Sequence, residues 1–179
     1  MNAEELKALQ APLKSRYQDD PKAAVVTLSA RGDLADGLAC RVDTGRALVE
    51  AGLHPATGGS GTQACSGDML LEALVACAGV TLKAVATAIG FDLREGRVLA
   101  EGDLDFRGTL GVSKAAPVGF TALRLRFDLD TDEPPERIET LLRLTERYCV
   151  VFQTLKHPPS LSLALPLPEA AAPAGQGGS

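Results

Sequence analysis

The side chains of this 179-residue chain best able to do nucleophilic, redox or metal chemistry are four cysteines and two histidines. Cys40, Cys65, Cys77 and Cys149 are widely spaced, with no C-x-x-C pair, so neither a zinc ribbon nor a thioredoxin-type motif is written here. His54 and His157 each stand beside a proline in loop-like sequence. With so few imidazoles a metal site would have to be mostly thiolate, and no metal is expected. The same scarcity removes the base that a Cys-His hydrolase needs. Two readings remain: thiol redox, or inert cysteines filling a core as free cysteines often do. Redox work needs ionisation. Bringing a thiol pKa from about 8.5 to about 6 takes roughly 3 kcal/mol of preferential stabilisation of the anion.

The element that must position such a thiol runs from Ser66 to Gly90. Ser66 is a candidate N-cap, Asp68 places negative charge in the first turn, and Gly90 can close the end in a left-handed conformation. At about 1.5 Å per residue the helix reaches roughly 34 Å. Apart from Asp68, Glu72, Lys83 and two threonines it is apolar on every side, the pattern of a helix packed on more than one face. Ala73, Ala76, Ala78 and Gly79 strip the surface beside Cys77, so a second helix or a small substrate can approach that sulfur. A bilayer span is disfavoured, because Glu72 and Lys83 would each cost about 2.5–3.5 kcal/mol near its centre.

A second helix is expected after T-D-E-P-P, with proline in its first turn. Ile138, Leu141, Leu142, Thr145, Cys149 and Phe152 recur at three- to four-residue spacing. Either Cys149 lies on that buried stripe, or the helix breaks near Tyr148 and restarts with Cys149 at a new N-terminus. In both cases it faces inward.

Around these helices the chain reads as strands. Residues 2–18 form a short amphipathic lead-in helix weakened by Pro12. From Ala23, the runs A-A-V-V-T-L-S-A, G-L-A-C-R-V-D-T and R-A-L-V-E-A, punctuated by R-G-D and T-G, suggest a three-stranded meander with Cys40 as a small mid-strand core residue. Residues 52–66 form a Gly-rich connector that lacks the Lys-Ser/Thr of a P-loop. Cys65 stands at the mouth of the long helix, an accessory thiol if the helix end acidifies it and a plain connector residue otherwise. Two alternating runs, R-V-L-A-E-G-D-L-D-F-R-G and F-T-A-L-R-L-R-F-D-L-D, flank a turn region around Gly111 to Gly119. The second puts Leu123, Leu125, Phe127 and Leu129 on one face, and Arg124, Arg126, Asp128 and Asp130 on a wet one. Its arginines read as solvated ladder charges rather than substrate clamps. S-L-S-L-A-L (160–165) reads as a last strand, and residues 166–179 as a disordered tail.

The totals narrow the function. With 18 Lys and Arg against 23 Asp and Glu the net charge is −5, which argues against a nucleic-acid partner. No basic, apolar leader opens the sequence, so a cytoplasmic location is expected.

The run D-M-L-L-E-A-L-V-A-C-A-G-V-T-L, preceded by G-G-S-G and followed by E-R-Y-C-V-V, resembles the OsmC/Ohr family of thiol-dependent peroxidases, in its OsmC-like branch. The resemblance spans residues 23–165, with the lead-in (1–22) and tail (166–179) outside it. It implies an α+β, OsmC-like fold with antiparallel sheets packed on two long central helices, in an intertwined homodimer. It also implies roles: Cys77 as the peroxidatic thiol, Cys149 as the resolving thiol, a hydroperoxide as substrate, and no cofactor beyond an external thiol or lipoyl-type dithiol reductant. Aliphatic neighbours such as Leu74, Val80 and Phe152 would suit an organic hydroperoxide. The activating arginine of the resemblance falls first to Arg31, in S-A-R-G, and second to Arg41. The acidic position that family peroxidases carry ten residues before the cysteine is Gly67 here, with Asp68 as its neighbour. A non-catalytic small-ligand-binding protein and a structural relative are the alternatives.

Overall fold

The computed structural model describes residues 2–5, 7, 8, 10, 11, 19, 31–35, 39–43, 48–111 and 113–164, with the backbone alone for 31–48. Its centre is helix α1 (Ser66–Ala88). Ser66 is its first helical residue; Cys65, in extended conformation, occupies the cap and contributes no side-chain capping bond. Gly90 takes the left-handed conformation (φ 61°) that the helix end requires.

Leu74, Ala78, Leu82, Val85 and Ala86 bury one face of α1, while Val80 on the opposite side is 73% exposed. One chain therefore covers a single face, where the all-round apolar sequence led us to expect more. The helix is long and apolar enough to cross a membrane.

Strands β1 (Arg31–Ala35), β2 (Ala39–Asp43) and β3 (Leu48–Gly52) form an antiparallel ladder. A two-residue strand β4 (Ala64–Cys65) joins β3 in parallel and leads directly into α1. The expected first strand at residues 23–30 lies outside the described residues. The R-G-D triplet, expected as a turn, opens β1 instead, with Gly32 opposite Val42 and Asp33 opposite Arg41.

Strand β5 (Glu95–Leu104) pairs antiparallel with β6 (Phe120–Asp130) over almost their whole length. β5 stops before the expected F-R-G: Asp105 accepts a hydrogen bond from the Arg107 amide (3.1 Å) and starts a short helix, α2 (Phe106–Thr109). Charges on the wet face pair across the ladder, with Arg124 holding Asp103 at 2.5 and 2.9 Å, as expected of solvated ladder side chains.

Helix α3 (Pro135–Tyr148) starts on the proline pair, with Pro134 as its cap. Cys149 interrupts it (φ −74°, ψ 107°), and α4 (Val150–Lys156) follows. Both helices pack on α1. Leu82, Val85, Ala86, Phe91 and Leu141 are the buried centre, joined by Phe127 and Leu129 from β6 and by Ile138, Leu142 and Leu144 from α3. Each large side chain buried there contributes about 1.5–3 kcal/mol.

Three expectations concern the ends. Helical backbone appears at residues 3–5, 7, 8, 10 and 11, opened by a reciprocal cap between Asn2 and Glu5. No strand forms at residues 160–164: Leu161 and Leu163 lie open to solvent, with no neighbouring strand to pair with among the described residues. Residues 166–179 lie outside the described residues.

Candidate thiol site

Cys77 sits on α1 at the edge of its buried face and is half-buried. Cys149 arrives from the break between α3 and α4 and is 1% exposed. The packing of α1 against those two helices brings the side chains into hydrogen-bond contact.

The break makes the site. An unbroken helix would commit the amides of Val150 and Val151 to carbonyls four residues earlier. With Cys149 extended, those amides become the first of α4 and have no acceptor in their own helix. They point at the Cys77 sulfur instead. The backbone on either side stays paired: Cys149 donates to the Thr145 carbonyl (2.9 Å) and accepts from the Gln153 amide (2.9 Å). The Gln153 side chain crosses the break to donate to the Glu146 carbonyl (2.8 Å), and Lys156 reaches the Glu146 carboxylate (2.5 Å). The adjacent β-branched Val150 and Val151 are poor continuations of a helix, which favours the interruption here.

The two thiols are driven apart in acidity. Burial pushes Cys77 upward, but the Val151 amide, the Cys149 thiol, the Val150 amide and the Thr81 hydroxyl all donate to its sulfur and outweigh that, leaving its pKa below that of an ordinary thiol. Cys149 goes the other way. Burial raises it, the Phe152 amide offsets part of that, and donation to Cys77 together with that neighbour's negative charge raises it further. One sulfur is thus disposed to ionise and the other to keep its proton, an arrangement suited to nucleophilic attack followed by thiol condensation.

Other sequence candidates are placed elsewhere. Arg31 opens β1 opposite Asp43, and Arg41 lies in β2 opposite Asp33. Cys40 lies in β2 opposite Leu34. Asp68 lies apart from the pair within the chain. Nine residues before Cys77, it is two and a half turns and about 13 Å away along the axis, turned about 180° around α1. It lines a separate cavity of about 340 Å3 with His54, Cys65, Asp103, Phe106 and Phe120. The structure does not bring Asp68 to the thiol pair within one chain.

Sequence reasoning missed Thr81 and the Val150 and Val151 amides. Thr81 had a signal, since four residues on a helix is one turn and puts it over Cys77. Among the described residues no three His, Cys, Asp or Glu side chains gather as a metal ion would need. A mostly apolar groove of about 430 Å3 reaches Cys149 between Leu125 and Phe127 of β6, Leu142 of α3 and Phe152 of α4, with Glu139, Arg143 and Glu146 also lining it.

Solved structures share this architecture. An OsmC-like protein from Mycoplasma pneumoniae matches with a TM-score of 0.63 at 13% identity, over 74% of this chain and 89% of that one. An organic hydroperoxide resistance protein from Elizabethkingia anophelis gives 0.61 at 16%, over 75% and 91%. The organic hydroperoxide resistance protein OsmC of Legionella pneumophila gives 0.59 at 16%, over 74% and 91%. Likeness at these identities establishes the shared α+β fold. No curated protein sequence matches the chain. The family model described as OsmC-like protein, however, matches residues 59–164, more than half the sequence and a span that includes both helices and both interacting cysteines; the chain belongs to the OsmC-like family.

Proposed function

We propose that this protein is a cysteine-based peroxidase that reduces organic hydroperoxides in oxidative-stress defence. The observation that carries the reading is the contact between two thiols from separate helices, one with lowered and one with raised pKa. The Cys77 thiolate attacks the outer oxygen of the hydroperoxide. A sulfur–oxygen bond forms, the oxygen–oxygen bond breaks, and the alkoxide leaves with the bonding pair and takes up a proton to become the alcohol. Cys77 is left as a sulfenic acid. Cys149, once deprotonated, attacks that sulfur and expels hydroxide, and the disulfide halts further oxidation. An external thiol or lipoyl-type dithiol returns two electrons and two protons.

Relatives described as organic hydroperoxide resistance proteins support the substrate class. The cation expected of the resemblance would come from Arg31 or Arg41. A second copy of the chain would cover the open face of α1, where Val80 is 73% exposed, and the neighbouring Val150, 71% exposed. Sedimentation equilibrium should then return twice the chain mass. A cytoplasmic location fits thiols held reduced between turnovers.

The experiment is peroxide consumption with a dithiol reductant. Wild type should prefer cumene hydroperoxide to hydrogen peroxide, and Cys77→Ser should consume neither. Consumption unaffected by Cys77→Ser would refute the assignment. One observation favours a second reading, a non-catalytic protein that retains a small apolar ligand: the 430 Å3 groove beside Cys149. Native mass spectrometry showing a bound ligand, with thiols unchanged after stoichiometric peroxide, would select it.

A further inference from the structure

We infer that the external dithiol of the proposed cycle enters the groove between β6 and the α3–α4 break and attacks the Cys77–Cys149 disulfide at the Cys149 sulfur. The inference rests on the reading of those two cysteines as the redox pair. The groove holds about 430 Å3, within the range of a small-molecule site. Leu125 and Phe127 of β6, Leu142 of α3 and Phe152 of α4 wall it, and its lining includes Cys149 but not Cys77. A thiol that enters there meets Cys149 first. Cys149 is 1% exposed, so an unbranched chain of methylenes suits the approach better than the folded surface of a protein.

The charges at the groove set the kind of occupant. Glu139, Arg143 and Glu146 share the lining, and Lys156 reaches the Glu146 carboxylate at 2.5 Å. Two acidic and two basic side chains cancel, so the groove asks no net charge of what it holds. Glutathione, polar and anionic, would leave the aliphatic walls wet, whereas a neutral aliphatic dithiol covers them.

The exchange chemistry points to the same sulfur. One thiolate of the reductant forms a bond to Cys149, the Cys77–Cys149 bond breaks, and Cys77 leaves as a thiolate with the bonding pair. The second thiol of the reductant, once deprotonated, then attacks its own sulfur in the mixed disulfide. That step closes a cyclic disulfide and releases Cys149, which takes up a proton. The reductant loses two electrons and the cysteine pair gains them. Exchange is faster when the departing thiol is the more acidic one. Cys77 is the acidified partner and Cys149 the one whose proton is held, so attack at Cys149 expels the better leaving group. Attack at Cys77 would expel the worse.

The test closes the pair with diamide and adds one of three alkanethiols: ethanethiol, 1-propanethiol or 1-butanethiol. Acid quench at early times and peptide mass spectrometry then locate the mixed disulfide. The adduct should sit on Cys149, with Cys77 free; an adduct on Cys77 overturns the inference. The three thiols have nearly the same acidity, so their rates on glutathione disulfide correct for intrinsic reactivity. On this protein the corrected rate should rise about two- to fourfold per added methylene, the upper figure being that of a methylene fully buried. A flat series overturns the groove as the route. Leu125→Gln places an amide on the wall and should flatten the series, and a slope that survives it also refutes the route. Adduct position and slope are both read in wild type, so they decide even if Leu125→Gln does not fold. Hydroperoxide consumption separates the two levels. A pair that diamide closes and that maps to Cys149, in a protein that consumes no hydroperoxide, overturns the peroxidase reading alone. An active protein with its adduct on Cys77 overturns this inference alone, and a pair that diamide cannot close overturns both.

Discussion

Replacing Cys149 with alanine and with serine should divide its two contributions. In the folded protein its thiol donates to the Cys77 sulfur, and its own sulfur is the partner for the disulfide proposed above. A hydrogen bond to a charged group contributes about 1.5–3 kcal/mol where water is excluded. Cys77 is half-buried, so water replaces part of what is lost, and a net value of about 1 kcal/mol is the better expectation. That is about 0.7 of a pH unit. The sign follows from the donor favouring the anion: its removal raises the Cys77 pKa, and the thiolate fraction falls wherever pH is below the new midpoint. Cys149→Ala should therefore move the alkylation profile of Cys77 upward by about half to one unit. Cys149→Ser retains an O–H donor and should move it by less than half as much. Both variants should fail to form the disulfide and should carry Cys77 on to the sulfinic acid under excess hydroperoxide, read as two added oxygens by mass. The reasoning is refuted if Cys149→Ala titrates like wild type, or if Cys149→Ser accumulates no over-oxidised Cys77.

Two further predictions concern the frame that holds the pair. Leu141 is 0% exposed in the core that binds α3 to α1, so Leu141→Ala should cost about 2–5 kcal/mol; a loss under about 1 kcal/mol in urea titration would show that the site collapses around the deletion. Glu133 accepts from Arg137 (2.6 Å) and from the Asp92 amide (2.9 Å), which hold its carboxyl below the usual range, the Arg137 side chain contributing most. A lowered folded-state pKa contributes stability above the ordinary carboxylate pKa, and that stability is lost as pH falls through the lowered value. Glu133→Gln should accordingly reduce the urea midpoint at pH 7 and leave wild type and variant nearly alike at pH 2; an equal loss at both pH values would contradict this assignment.

The sequence made the two helices legible because their signals were local: a long apolar run ending in glycine, and a proline pair followed by leucines at helical spacing. The pairing of Cys77 with Cys149 was legible only through the resemblance, since nothing in either neighbourhood encodes a contact so far along the chain. The sequence left two geometries open for Cys149, and the observed break selects the second. The hydrogen-bond chemistry explains why this matters: an uninterrupted helix would bury the same thiol but would keep the Val150 and Val151 amides for itself. Asp68 stands apart from Cys77 within one chain for a reason of angle. Adjacency to a family position in sequence is a turn of about 100° on a helix, and nine residues from Cys77 puts its carboxylate on the far side.

The expectations that failed share a physical cause, which is that a chain's apolar pattern records what must be covered and not what covers it. Leu161 and Leu163 alternate with serines as a strand would, yet they are open to solvent in a segment with no ladder partner among the described residues. α1 is apolar all round, yet one face alone is buried, and Val80 stands on the other. Both patterns are costly in water and sensible against a second surface. The thiol site lies at that boundary. Cys77 is at the edge of the covered face, its sulfur held from one side by the break before α4 and by Thr81, with its remaining side half-open. A partner surface laid along Val80 would exclude water from that side, which by itself disfavours the anion, as burial already does within the chain, so assembly activates the thiol only by bringing the expected cation, Arg31 or Arg41, to the sulfur. The Cys77 alkylation midpoint should then fall as chain concentration rises through the dimerisation range, and a midpoint that stays fixed or rises would break the link between assembly and activation.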